Sequence, residues 1–237
     1  MKIRRLPETD LARIAPMARI EKRRALERQS TGFTQLTYDP VRAATLDILN
    51  AQSPLLGSTS DTPWSVVERA IRRASRTTNE SESNVGVGHL LYDFVREQGM
   101  RATQVAFSAF QTRIGDSVRY WSNAVVVHDG SLVIPFADYR RTFRLTDSGK
   151  RFAASIMHEA IRRMNPQDLG DAQLGVFQFP QVAGTDDRTI TLSIVPDTDL
   201  YSAEELAAMI ADTYLMWAEV LQARAAEVRR GEGRGTG

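Results

Sequence analysis

The chain has 237 residues, of which 42% are hydrophobic and 25% charged, the balance of a globular protein and not of a disordered one. Cysteine is absent, which excludes disulfide scaffolds, thiolate zinc sites, iron–sulfur clusters and cysteine nucleophiles. The 30 basic and 29 acidic residues give a net charge of +1, but they are unevenly placed: residues 1–30 carry nine basic and four acidic side chains, whereas 167–200 carry six aspartates and one arginine. A basic face for nucleic acid, two surfaces of a subunit interface, or solvated helix faces would each produce such a pattern.

The chain starts Met-Lys-Ile-Arg-Arg and continues into Leu6-Pro7-Glu8, which is not a signal peptide. No stretch reaches the ~20 apolar residues of a membrane span, so no membrane association and a cytoplasmic location are expected. Leu11, Ile14, Met17 and Ala18 have helical spacing interrupted by Pro16, and Thr31-Gly32 breaks the pattern. Asp39-Pro40 is a helix start, a capping carboxylate followed by proline at the first helical position, and Asp61-Thr62-Pro63 repeats that signal. Behind them, Val41, Ala44, Ile48 and Leu49 form one apolar face, and Trp64, Val67, Ile71 and Ala74 another. The polar run 77–84 reads as a loop or long cap. Val87, Leu90, Leu91, Phe94 and Val95 then give a helix over 82–98, ended by Gly99.

After Gly99 the period changes to two, predicting a strand over 101–112. Two β-branched runs flank Asp129-Gly130, which predicts a hairpin of strands at about 121–128 and 131–139. A helix over 147–164 starts at Thr146 and stops at Asn165-Pro166; strands over 173–179 and 189–195 follow. Ser202-x-x-Glu205 is a capping box opening a last helix whose Trp217, Val220 and Leu221, with Tyr214 and Met216, offer either a sheet-packing face or a partner-docking face. Beyond Arg230 the glycine-rich tail reads as disordered. The organisation expected is a helical region 1–80, an α/β core with C-terminal helix over 81–222, and a helix end and tail over 223–237.

Motifs for nucleotide P-loops, zincins and serine hydrolases are missing: Lys150 lacks the upstream glycine, and His158-Glu159 lacks the second histidine. His89, His128 and His158 are read as structural or surface residues. The order helix (82–98), three strands, helix (147–164), strand (173–179) is αβββαβ, and it resembles the restriction-endonuclease-like (PD-(D/E)xK) superfamily. By that resemblance the fold is α+β with an α/β core, and the positions matching the acidic residue and the acidic-x-Lys triplet are Asn123, Asp138 and Arg140. Glu82 or Glu80 matches the acidic residue of the first helix, and Asp116 or Asp129 is a substitute for the missing carboxylate.

Two departures weaken the chemistry so implied. The amide of Asn123 would hold Mg2+ less well than a carboxylate, and Arg140 clamps phosphate but accepts no proton. The resemblance therefore implies a catalytically impaired, nuclease-like subunit, with no cofactor unless activity survives, in which case Mg2+ on Asp138. Such a subunit would bind DNA or RNA, or a nucleic-acid-processing protein, in a defence or mobile-element system. Arg72, Arg73, Arg140, Arg141 and Arg144 are the candidate phosphate contacts. The alternatives are an assembly subunit, partnered or homo-oligomeric, with no nucleic-acid role, and an active metal-dependent nuclease.

Overall fold

The computed structural model describes residues 5–29, 37–52, 61–112, 114 and 117–232. The break at Thr31-Gly32 and Asp116 lie outside the described residues, as does the tail expected beyond Arg230 except for Gly231 and Glu232, which continue the last helix. Pro16 separates α1 (Glu8–Ile14) from α2 (Arg19–Arg28) as expected. The Asp39-Pro40 signal opens α3 (Asp39–Ala43), but Tyr38 takes the cap position and the Asp39 carboxylate pairs with Arg42 at 3.4 Å. A short α4 (Thr45–Ile48) follows, then α5 (Trp64–Ala74) behind Pro63.

The helix α6 (Thr78–Glu97) begins a full turn earlier than its apolar stripe suggests. The polar run 77–84 is helical because its side chains are internal caps. Thr77 Oγ1 accepts the Glu80 N–H, and buried Asn84 receives the Val41 N–H while donating to the Thr37 and Glu80 carbonyls. Glu80, fully buried, accepts from the Arg76 backbone and guanidinium at 2.7 and 3.0 Å and from the Thr37 N–H and hydroxyl at 3.0 and 2.8 Å. Those bonds, the Arg76 guanidinium first, hold its carboxyl at about 2 instead of the usual 4.5. A carboxyl depressed by folding stabilises the fold above its unfolded pKa, and that contribution fades as pH falls towards the folded value. Thermal unfolding of wild type is therefore expected to lose stability as pH drops from about 4.5 to about 2. Glu80→Gln should be less stable at neutral pH and flatter across that window; parallel curves for the two proteins would refute this role.

Three short strands follow in place of the one expected over 101–112. The ladder of β1 (Arg101–Gln104) runs out where its partner begins, at the Gln104–Ala124 pair. The chain peels off after the Val105 N–H reaches the Asn123 carbonyl, buries Phe107, and forms a separate ribbon of β2 (Phe110–Gln111) and β3 (Ser117–Val118). The hairpin of β4 (Ala124–His128) and β5 (Ser131–Asp138) is as predicted, with Asp129 and Gly130 both left-handed at φ +48° and +74°. Then come α7 (Asp147–Met157), capped by Thr146 and continued by a π-helical turn through Arg162, α8 (Pro166–Leu169), β6 (Gln173–Gln178) and β7 (Thr191–Val195). The predicted Ser202/Glu205 capping box opens α9 (Ala203–Glu232), each residue's side chain accepting the other's backbone N–H.

The main sheet has the order β1-β4-β5-β6-β7, parallel only between β5 and β6. The fold is thus α+β with the expected helical N-terminal region and C-terminal helix, and α6, β1, β4, β5, α7 and β6 supply the αβββαβ order. Alternation along the strands divides the core in two. Ile134, Phe136, Leu174 and Val176 face α1, α7 and α9; Ala137, Phe177 and Phe179 face the layer formed by α3 to α6. Tyr214, Met216, Trp217 and Val220 of α9 are buried in the first of these clusters, so this helix spends its apolar stripe on its own fold. Part of the basic N-terminus is likewise used internally: Lys22, only 3% exposed, and Arg19 pair with Asp212 of α9, and Arg23 with Glu219.

Candidate functional site

The carboxyl end of β5 delivers Asp138, Tyr139 and Arg140 into the seam between the two helical layers. Asp138 is fully buried. One of its oxygens accepts from Arg140 Nε at 3.0 Å and the other from the Leu145 N–H at 2.8 Å. The remaining nitrogens of Arg140 reach Asp10 at 2.9 Å and the Thr9 carbonyl at 3.2 Å, while Asp10 also accepts from the Gln29 amide at 2.9 Å. One guanidinium therefore ties the end of β5 to α1, and through Asp10 to the end of α2. Both oxygens of Asp138 are engaged inside the fold, and the geometry is that of a structural ion pair. The loop so anchored places Phe143 outward, 73% exposed at φ +53°, with the Arg13 guanidinium 5.3 Å from its ring.

Asn123 stands apart from this pair. It lines a cavity of about 520 Å³ between α1, the α3–α4 corner and the neighbouring ends of β4 and β5. Arg140 and Arg141 instead line a separate cavity of about 660 Å³ with Arg13, Arg28, Tyr38 and Phe143. Glu82 is exposed on α6 and binds the Arg72 guanidinium at 2.7 Å, and Glu80 is the buried cap described above. Asn123, Asp138, Arg140 and Glu82 are thus not brought to one cleft. Asp129 serves the hairpin turn. Among the described residues no group of three or more histidines or carboxylates is placed to hold a metal ion.

The arginines singled out for phosphate are unequally available. Arg72 is engaged by Glu68 and Glu82, whose hydrogen bonds raise its pKa, and Arg141 by Asp186 and Gln181. Arg73 and Arg144 make no hydrogen bond or ion pair among the described residues. His89 stacks on Trp64 at 4.6 Å and His128 lies 3.5 Å from Asp129. His158 sits in the π-helical turn, where burial and Arg162 lower its pKa. No described helix is long and apolar enough to cross a membrane.

The 520 Å³ cavity was invisible in the sequence. Its arginines, Arg5, Arg42 and Arg119, come from three distant segments, and its inner wall holds Trp121, Phe136 and Tyr139. No local spacing connects them. Of its lining residues only Asn123 stands out in the sequence, and on other grounds.

A family model described as "Sliding clamp-binding bacterial toxin SocB" matches residues 9–227, from α1 almost to the end of α9. The chain belongs to the SocB family. It is 38% identical over 232 residues to the "DNA replication inhibitor toxin SocB" of Caulobacter vibrioides (strain NA1000 / CB15N), covering 97% of this chain and 95% of that relative. No solved structure matches it. Membership of the SocB family overturns the restriction-endonuclease-like resemblance and the nuclease-like label that rested on it. The resemblance arose because an αβββαβ order is a common solution to covering both faces of a small sheet. The Asp138-x-Arg140 spacing that supported it is filled by an internal ion pair.

Proposed function

We propose that this chain is a toxin that arrests DNA replication by binding the bacterial sliding clamp. The observation that carries the reading is likeness along the whole chain. At 38% identity over nearly all of both proteins, the shared region includes both helical layers, the sheet and α9, and not a detachable module. Its partner is then a protein, one of the two kinds of partner expected from the sequence, and it acts in the cytoplasm where the clamp works. The pairing of Arg72, Arg140 and Arg141 within the fold favours this over direct phosphate binding, because each would have to give up an existing carboxylate.

Induced expression in a bacterium, with incorporation of labelled thymidine as the readout, tests the proposal. DNA synthesis should stop while transcription continues, and co-expression of additional sliding clamp should restore it. Arrest that extra clamp leaves unrelieved, or no arrest at all, would refute clamp-directed toxicity.

A further inference from the structure

We infer that the 520 Å³ cavity beneath Arg5, Arg42 and Arg119 binds a small phosphorylated ligand of nucleotide size. Its position is the first support. The cavity opens where β5 ends, beside Phe136, Ala137 and Tyr139, and next to Trp121, Ser122 and Asn123, which lead into β4. A volume of about 520 Å³ is in the range of small-molecule sites, roughly 300–1,000 Å³.

Charge is the second support. Three guanidiniums face one carboxylate, Glu8, and that carboxylate is already occupied: one of its oxygens accepts from Arg5 at 3.0 Å and from the Arg119 N–H at 3.0 Å. The Arg119 guanidinium has no partner among the described residues. Arg42 has only a long 3.4 Å contact to exposed Asp39. Arg5 is spent on Glu8 and the Ser117 carbonyl, but Arg42 and Arg119 remain free at the concave wall, and their forked donors suit the oxygens of a phosphate.

The third support is the make-up of the wall, which joins polar and apolar side chains. The hydroxyls of Thr45 and Tyr139, bonded to each other at 3.0 Å, stiffen the same wall. The apolar side, with Leu46, Ala109 and Phe136, suits an organic body attached to the phosphate, which inorganic phosphate lacks.

Isothermal titration of the full chain with ADP, pyrophosphate, adenosine and a single-stranded oligonucleotide tests this without any clamp present, so its outcome is independent of the toxin reading. ADP should bind, at least about tenfold more tightly than pyrophosphate or adenosine, and raise the unfolding temperature with concentration. Arg42→Gln and Arg119→Gln, at exposed positions, should leave the free protein's unfolding temperature unchanged and weaken ADP by about tenfold each. Arg69→Gln, on the outer face of α5, should bind as wild type. No binding at millimolar ADP, pyrophosphate binding equal to ADP, binding confined to the oligonucleotide, or ADP affinity unaltered in the Arg42→Gln/Arg119→Gln double variant would each overturn the inference.

Discussion

Asp138→Ala should cost about 3–5 kcal/mol of folding stability, read from urea unfolding at constant m-value, because it breaks a buried ion pair and leaves two buried donors, Arg140 Nε and the Leu145 N–H, without their acceptor. Arg140, 18% exposed at its side chain, would keep Asp10 but lose its 3.0 Å bond at Nε, and the Leu145 N–H would lose its only side-chain acceptor. Asp138→Asn retains an oxygen for the Leu145 N–H and should cost less, about 1–3 kcal/mol. The ordering matters as much as the size. A ligand-binding carboxylate held in place by other contacts would be removed with little loss, and often with a gain in stability. An Asp138→Ala protein as stable as wild type would therefore refute the structural role of the pair.

The second large effect is expected in α9. Trp217→Ala should cost about 3–5 kcal/mol, the usual range for truncating a fully buried tryptophan. The ring is 1% exposed, packs among Tyr214, Met216 and Val220, and lies 5.6 Å from the Arg224 guanidinium. Arg224 in turn donates to the Gln29 carbonyl at 2.9 Å, so loosening α9 should also free the end of α2 and the Gln29 contact to Asp10. Leu215→Ala, at a side chain 63% exposed on the same helix, should change stability by no more than about 0.5 kcal/mol. Equal losses for the two variants would mean that the helix is buried differently from the arrangement described.

The elements best legible in the sequence are those specified by local chemistry. Asp129-Gly130 supplies two residues able to take positive φ, so the β4–β5 hairpin follows from the turn. Ser202 and Glu205 satisfy each other's backbone N–H groups, so the start of α9 is written in four residues. What distant partners decide could not be read. The first turns of α6 look like a loop until Thr37 and Val41 are brought against Glu80 and Asn84. The end of β1 depends on where β4 begins, 20 residues later in the paired register.

The site followed the same division. An acidic residue two positions before an arginine at a strand end is a local pattern, and it was visible; whether it faces solvent or another helix is set by α1, about 130 residues away. Asp10 is what turns Asp138 and Arg140 into a buried clamp. The cavity that gathers Arg5, Arg42, Arg119, Trp121 and Asn123 has no sequence signature, because its parts adjoin only after the helical layers close on the sheet. Family membership came from likeness along the whole chain, which no single motif carries.

Direct association with the clamp is the most decisive measurement. The full chain and the purified sliding clamp of Caulobacter vibrioides, mixed at micromolar concentration and passed through a sizing column with light scattering, should elute together at the summed mass. Two separate peaks at the masses of the free proteins would contradict a clamp-binding role.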